Sequence, residues 1–530
     1  MVLVLSGRMN GLAADAAEPW LKGYARTISG ERIGYHSPYP DVGKALLVRA
    51  TDGEMRIAWE TEPVPAGLKS GSATFLWMAG VASRRGAHEF FMSADGEALL
   101  TFRSAADPSQ KTWTVTGRGG ASLTFRTTMV DAAEDLLGYM TLTMPASLLK
   151  EGRPLRLEIR GEKAGNRDWA MVFEHSLETS VSARSEQVLI KKDGRAHQVI
   201  GVEISRPGPP VRAALTIEGA RERVSLETGY NIFFMPVSPA AAEREAMLSV
   251  DYGRGRIERR TVRIKPVARR DLYFLPHSHV DIGYSDHQRV VEQKHWSYYE
   301  QAAEIAAKTA DYPAGARFKW NVEELWAVET YLKQASPEKR AAFVDAVRKG
   351  WIGLQAMLAN ELTGLCHPEE LLRLTAFART LGAECGVPVR SAMITDIPGL
   401  SWPAVSAFAL SGVKYFSSGP NYMPRLFDGG DRIGRTLKTW GDRPFYWVAP
   451  SGDAKILFWM AGRGYSWFHG LNLGDIGRAP ARGILDYMLE LADRGYPYSM
   501  VQVRYTIGGD NGPPDPGLAD FVRRWNEEHE

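Results

Sequence analysis

The fold of the C-terminal half is decided by one stretch, LYFLPHSHVDIGYSD, at residues 272–286. Its opening run, LYFLP, predicts a short buried strand. Three candidate metal ligands follow the strand directly: His277, His279 and Asp281. Alternate residues of an extended chain point to the same side, and neutral imidazole together with carboxylate suits Zn²⁺. The stretch therefore predicts a metal site at a strand end, with a hydrogen-bonded histidine pair in a turn as the alternative.

Beyond this stretch, strand-like and helical segments alternate to the end of the chain. Further strands are predicted at residues 317–321, 351–357, 389–395, 413–418, 454–460 and 500–506. Helices are predicted at residues 288–310, 322–334, 368–384, 403–410 and 482–494, and Ser336-Pro337-Glu338 is typical of a further helix start. Such alternation predicts an α/β domain with a parallel sheet of about seven strands, open or closed into a barrel.

Polar residues collect where these predicted strands end. Asn360-Glu361, Asp396 and Asp510 each follow a strand, and the active sites of parallel α/β folds lie at the carboxyl ends of their strands. Two carboxylates that bracket a glycosidic bond supply the nucleophile and the acid for its cleavage. For an Asp before a Pro/Gly turn, the alternative is a purely structural turn residue.

Other titratable side chains in this half are expected to be structural. His287 and His295 fall in or near the helix after the first strand, where a surface position is favoured. The only two cysteines, Cys366 and Cys385, are interpreted as buried thiols, and two cysteines exclude a disulfide scaffold.

The N-terminal half has a different pattern. From about residue 45 to 265 apolar and polar residues alternate with a period of two, and Asp95-Gly96 and Asp193-Gly194 are hairpin signals. This predicts an all-β sandwich at residues 19–268, with a structural or sugar-contacting role, before an α/β domain at residues 269–530. Residues 1–18 resemble the end of a secretory signal, which favours a periplasmic or secreted protein over a cytoplasmic one with a disordered leader.

Composition excludes several classes of protein. The chain has 530 residues, 44% of them hydrophobic, and its 64 Lys+Arg against 62 Asp+Glu give a net charge of +2. With so small a net charge, the chain has no strong positive potential that would attract nucleic acid, so no nucleic-acid partner is expected. An apolar run long enough to span a membrane is also missing from the sequence.

Four ordered segments resemble the family 38 glycoside hydrolases, the retaining α-mannosidases. They are PHSHVDIGYSD (276–286), KGWIGLQAMLANELTGLCHPEELLR (349–373), TDIPGLSWPAVSAFALSGVKYF (395–416) and YTIGGDNGPPD (505–515). The resemblance covers about residues 271 to 530 and implies a seven-stranded, barrel-like catalytic domain of the glycoside hydrolase/deacetylase type. It also implies a zinc-dependent double-displacement reaction on a carbohydrate substrate.

Roles for individual residues follow from the same resemblance. Asp396 is implied as nucleophile and Asp510 as general acid/base, while His279, Asp281 and Asp396 are implied as zinc ligands. The candidate substrate contacts are Tyr284, Glu361, Tyr465, His469 and Asn511.

The chain also departs from the family pattern. Ile282-Gly283-Tyr284 stands where the family usually has Pro-Gly-Trp, which bears on sugar specificity. The resemblance places a fourth zinc ligand beyond residue 530 and implies a truncated chain, without the helical and C-terminal β-domains, that is inactive or weak in zinc binding alone. The alternatives are a non-catalytic carbohydrate-binding protein and a metal-dependent amide or phosphoester hydrolase.

Overall fold

A computed structural model describes residues 19–39, 42–68, 70–83, 87–105, 109, 111–131, 134–421, 435–465 and 479–530. The chain divides into two compact units. The first comprises Met1–Val181, Glu203–Arg212 and Ser225–Asn231, and the second comprises Ser182–Val202, Ala213–Val224 and Ile232–Glu530. The predicted leader at residues 1–18 lies outside the described residues. The predicted domain boundary at residue 268 stays a prediction.

The first unit is built from short strands. They are β1 (Trp20–Lys22), β2 (Arg26–Ser29), β3 (Glu31–Gly34), β4 (Lys44–Arg49), β5 (Arg56–Pro63), β6 (Ser72–Val81), β7 (Glu89–Ala94), β8 (Glu97–Arg103), β9 (Thr112–Thr116), β10 (Ser122–Val130), β11 (Leu136–Pro145), β12 (Pro154–Gly161) and β13 (Trp169–Phe173). One sheet has the order β3-β4-β13-β6-β11-β10-β9, with β1 beside β6, and a second sheet has the order β2-β5-β12-β7-β8.

The two sheets share one apolar core. Trp59 of β5 and Trp77 of β6 are both fully buried, with ring centroids 5.8 Å apart. Asp95 and Gly96 join β7 to β8 with φ angles of 50° and 84°, as a hairpin turn with two left-handed residues requires. The predicted all-β N-terminal part is therefore confirmed.

Seven more strands complete the β-rich half. They are β14 (Ser180–Lys192), β15 (Arg195–Arg206), β16 (Val211–Ile217), β17 (Ala220–Leu226), β18 (Gly229–Val237), β19 (Arg244–Asp251) and β20 (Ile257–Ile264). They form a three-stranded sheet, β14-β15-β18, and a four-stranded sheet, β17-β16-β19-β20. The predicted Asp193-Gly194 turn joins β14 to β15, with φ angles of 51° and 71°.

Strands and helices alternate after residue 270. The strands are β21 (Asp271–Pro276), β22 (Trp320–Asn321), β23 (Ile352–Gly353), β24 (Ser391–Thr395), β25 (Tyr415–Gly419), β26 (Phe445–Val448), β27 (Lys455–Met460) and β28 (Met500–Tyr505). The helices are α1 (Gln288–Lys308), α2 (Trp326–Gln334), α3 (Pro337–Arg348), α4 (Pro368–Arg373), α5 (Ala376–Cys385), α6 (Ala404–Leu410), α7 (Thr436–Trp440), α8 (Ala479–Asp493) and α9 (Leu518–Glu528).

The strands of this half pair mainly in parallel. β21 pairs with β28, β22 with β23, and β25 with both β24 and β27, all in parallel, whereas β26 is antiparallel to β27. Within the described part of the chain these pairings form three separate sheets. Parallel strand–helix alternation is thus present, while closure into one seven-stranded barrel is not established.

Two predicted helices differ from the observed ones. The helix predicted from residue 322 begins only at Trp326, because the residues after β22 continue as a loop. The helix predicted at residues 368–384 is divided into α4 and α5. Ser336 caps α3 as predicted, its Oγ accepting a hydrogen bond from the Lys339 amide at 3.4 Å. Among the described residues, the helices are too short or too polar to cross a membrane.

Candidate active site

The residues that follow β21 lie at the centre of a buried polar cluster. The His277 amide donates to the Tyr505 carbonyl at 3.0 Å, so the strand pairing continues one residue past β21. His277 and His279 are 1% and 4% exposed. His279 Nε2 lies 3.2 Å from Asp281 Oδ1. The chain at this strand end therefore buries two polar imidazoles and holds a carboxylate next to one of them.

A carboxylate from a neighbouring loop joins the two histidines. Glu323, between β22 and α2, has one oxygen 3.0 Å from His279 Nδ1 and the other 2.6 Å from His277 Nδ1. It is 2% exposed. Sequence reasoning missed Glu323 because the stretch after β22 was assigned to a helix. The available signal was a Glu-Glu pair directly after a predicted strand.

The two predicted catalytic carboxylates meet at one tyrosine. Asp396 follows β24 with a φ angle of 54°, and its amide donates to the Gly419 carbonyl at 3.0 Å. Tyr465 Oη lies 3.4 Å from Asp396 Oδ2 and 3.2 Å from Asp510 Oδ1. Both oxygens are therefore within reach of one hydroxyl group. Burial and the charges of Asp510 and Asp396 raise the pKa of Tyr465, which keeps the hydroxyl protonated as a donor.

A set of metal donors lies beside this acid pair. One ligand atom each from His279, Asp281 and Asp510 falls within 4.8 Å of the other two. Asp281 Oδ2 is buried and makes no hydrogen bond to the described residues. An imidazole with two carboxylates, one of them with an orphaned buried oxygen, fits the chemistry of a zinc site. Asp510 stands in this group, and Asp396, the implied third ligand, is linked to it through Tyr465.

Asn511 ties the loop after β28 to the loop after β21. Its side-chain Oδ1 accepts a hydrogen bond from the Asp281 backbone amide at 3.2 Å, and its Nδ2 donates to the Asp281 carbonyl at 3.1 Å. Its own backbone amide donates to the His279 carbonyl at 2.8 Å. Asn511, predicted to contact substrate, is 3% exposed, so in this structure its side chain holds the site together.

The prediction that His295 lies on the surface is wrong. It is 2% exposed on the inner face of α1, and its Nε2 lies 2.8 Å from Asn511 Oδ1. The interior position arises because α1 presents Val291, His295 and Tyr299 on one buried face. His287, at the start of α1, is exposed as predicted. Cys385 is buried and Cys366 only half-buried.

His295 gives the fold a specific sensitivity to acid. Burial lowers its pKa to about 4, against a hydrogen bond to Asn511 that acts in the opposite direction. The unfolded chain binds a proton on this imidazole below pH ~6.5, whereas the folded chain does so only near pH 4. We expect the free energy of unfolding to fall between these pH values, with up to about 3 kcal/mol from His295 alone.

Urea unfolding of the wild type and His295→Gln from pH 7.5 to pH 4 measures this contribution. Glutamine does not titrate, so the difference in stability between the two chains should change with pH over that window. Parallel stability curves would contradict the assignment.

Opposed charges organise the buried cluster. Burial lowers the pKa of His279, but hydrogen bonds to Asp281 and Glu323 outweigh burial and raise it to about 10. Burial also raises the pKa of Glu323, but contacts with His277 and His279 hold it well below its usual value. Burial and the neighbouring Glu323 charge raise the pKa of Glu324 well above its usual value. Glu323 is therefore the ionised member of the pair, and Glu324 the neutral one.

The remaining predicted residues are more scattered. Tyr284 is 88% exposed. Glu361 is half-buried, and its charge contributes to the raised pKa of Glu324. His469 lies outside the described residues. Of the predicted substrate contacts, only Tyr465 and Asn511 join the polar cluster by direct contacts described here.

Arg504 is a further residue that the sequence analysis missed. It is 1% exposed within β28, and its guanidinium donates to the Ile394 carbonyl at 2.8 Å and to Thr395 Oγ1 at 2.6 Å. These contacts hold the end of β24, the strand that precedes Asp396. The signal was a charged residue at an alternate position of a predicted buried strand.

The fold and the site define a class: an α/β domain with parallel strands, whose strand ends gather an acid pair beside a set of metal-donor atoms. Residues 269–494 match the glycosyl hydrolases family 38 N-terminal domain. This match confirms, for this segment, the family resemblance found in the sequence. Among curated proteins, no relative matches.

Two solved structures illustrate what the chain is similar to. An α-mannosidase from Enterococcus faecalis V583 is 14% identical, with 48% of this chain and 27% of that chain covered and a TM-score of 0.38. A 4-α-glucanotransferase from Thermococcus litoralis is 14% identical, with 48% and 36% covered and a TM-score of 0.31. The chain spans about a quarter of the length of the α-mannosidase.

Proposed function

We propose that the protein is a zinc-dependent retaining glycoside hydrolase of the α-mannosidase type, acting on glycans or oligosaccharides. The observation that carries this proposal is the approach of Asp396 and Asp510 to a single hydroxyl, that of Tyr465, at 3.4 and 3.2 Å. Two oxygens that both contact one hydroxyl cannot be farther apart than the two distances together. This bound brings the two oxygens close enough to flank one glycosidic bond, as the acid pair of a glycoside hydrolase does.

The reaction follows from the placement of the two acids. The Asp396 carboxylate attacks the anomeric carbon as the glycosidic bond breaks, and protonated Asp510 donates its proton to the leaving oxygen. Ionised Asp510 then takes a proton from water, whose oxygen displaces Asp396 and releases the sugar with retained configuration. Tyr465 donates a hydrogen bond that holds the two carboxylates in a common orientation.

His279, Asp281 and Asp396 would hold the zinc ion, with Asp510 beside them. When bound, Zn²⁺ would supply Lewis-acid attraction for sugar hydroxyls. Of these residues, His279 and Asp281 share a set of close donor atoms with Asp510, and the orphaned Asp281 Oδ2 also supports the proposal. Tyr284, Glu361, Tyr465, His469 and Asn511 remain proposed substrate contacts, and the periplasm or the cell exterior is the proposed location.

We also propose that the seven parallel-paired strands belong to one barrel-like sheet. Contacts between the three groups support it: Asn321 Nδ2 donates to the Pro276 carbonyl at 3.3 Å, the Ala356 amide donates to the Ser391 carbonyl at 2.8 Å, and Ser417 Oγ donates to Gln502 Oε1 at 3.3 Å. These contacts connect β21 with β22, the chain after β23 with β24, and β25 with β28. If the strands close into a barrel, the carboxyl ends of all the parallel strands would lie at the same rim.

The stereochemistry of the product tests the proposed reaction. Zinc-loaded chain is incubated with an aryl α-mannoside, and NMR records the anomer released before mutarotation. We expect the α-anomer first, and an aryl amide and an aryl phosphoester should stay intact. Initial release of the β-anomer would contradict double displacement, and cleavage of only the amide or phosphoester would replace the glycosidase proposal.

A further inference from the structure

Glu323 is a buried carboxylate to which no comparison assigns a role. Its carboxylate is 2% exposed and has charged or polar neighbours on both oxygens. Oε1 lies 3.0 Å from His279 Nδ1 and accepts a hydrogen bond from Asn360 Nδ2 at 2.8 Å. Oε2 lies 2.6 Å from His277 Nδ1 and 3.7 Å from Arg504 Nη2. A carboxylate fixed in this way has one orientation available.

The two ring nitrogens of His279 therefore face different carboxylates. Nδ1 faces Glu323 at 3.0 Å, and Nε2 faces Asp281 at 3.2 Å. A carboxylate at Nδ1 keeps a proton there, so a metal ion would displace the proton on Nε2 and use the lone pair of that nitrogen. The same carboxylate fixes the rotation of the ring and strengthens Nε2 as a donor.

We propose that Glu323 is the positioning residue that orients His279 Nε2 toward the zinc-binding pocket. The inference rests on the proposed function, because it assigns a partner to one of its zinc ligands. Glu323 itself reaches the metal donors only through His279. His277, on the other oxygen, and Arg504 act with it by holding the carboxylate in place.

The neighbouring residue provides a matched control. Glu324 is also a buried glutamate, 1% exposed, but its Oε2 accepts a hydrogen bond from the Asn360 backbone amide at 2.5 Å. No hydrogen bond or ion pair described for Glu324 joins it to His277 or His279. Glu324→Gln therefore makes the same chemical change one residue away, in an equally buried position, without removing the His279 partner.

The test is the zinc dissociation constant of the full chain, measured by competition with a chromophoric chelator. We expect Glu323→Gln to weaken zinc binding by about 10- to 100-fold, while Glu324→Gln stays within about threefold of the wild type. Thermal unfolding of both variants checks that they fold. Equal zinc affinity in wild type and Glu323→Gln would overturn the inference and leave the proposed function intact, whereas no zinc binding by the wild type would refute the zinc proposal itself.

A second measurement decides the question if Glu323→Gln does not fold. Histidine ¹⁵N NMR of zinc-loaded wild type, with the His279 signals assigned by their loss in His279→Gln, reports which ring nitrogen carries the proton. A proton on Nδ1 and metal on Nε2 are expected. Metal on Nδ1 would overturn the inference.

Discussion

Asp396→Asn is expected to lower kcat/KM on an aryl α-mannoside by about 10⁴-fold or more, since loss of a nucleophile removes the first chemical step. The Asn side chain keeps the size of Asp396 but cannot attack the anomeric carbon as a carboxylate does. Steady-state kinetics with zinc in excess measures the effect. Zinc content is measured in parallel, because Asp396 is also a proposed ligand.

A suitable control is Asp286→Asn. Asp286 also lies after β21, but its carboxylate pairs with Lys294 at 3.0 Å on the surface side of the loop. This variant should keep nearly full activity. Unchanged activity in Asp396→Asn would remove Asp396 as nucleophile, whatever its zinc content.

Asp510→Asn is expected to lower kcat/KM by about 10²- to 10⁴-fold, the range for a general acid. The loss should depend on the leaving group. A dinitrophenyl mannoside departs as a stable anion without protonation and should lose little in the glycosylation step, while a phenyl mannoside needs the proton and should lose the most. Rates for both substrates in wild type and variant test this. Equal losses on the two would contradict an acid role.

Much of the C-terminal half was predictable from apolar runs in the sequence. β21, β24, β27 and β28 lie within one residue of their predicted positions at one or both ends, because buried parallel strands are short continuous apolar segments. The sequence could also place His279, Asp396 and Asp510 at strand ends. It could not show that Tyr465 would bring the two acids together, since that contact depends on a loop after β27 reaching across the site.

The polar residues that the sequence analysis missed are buried for the same physical reason. The sequence predicts a helix from residue 322, which would include Glu323, but the observed helix α2 begins at Trp326. His295 has the polarity of a surface residue but is buried, because Asn511 from a distant loop satisfies its Nε2 at 2.8 Å. Arg504 is buried because its donors meet the end of β24. In each case a long-range polar partner compensates for burial, and local sequence carries no record of such a partner.

Under the proposed function, a zinc ion and an acid pair meet where the parallel strands end. Anomalous X-ray scattering at the zinc edge, from crystals of the zinc-loaded full chain, tests this most directly. We expect one zinc peak within bonding distance of His279 Nε2, Asp281 and Asp396, with Asp510 beside it. A peak elsewhere on the chain, or none at saturating zinc, would contradict it.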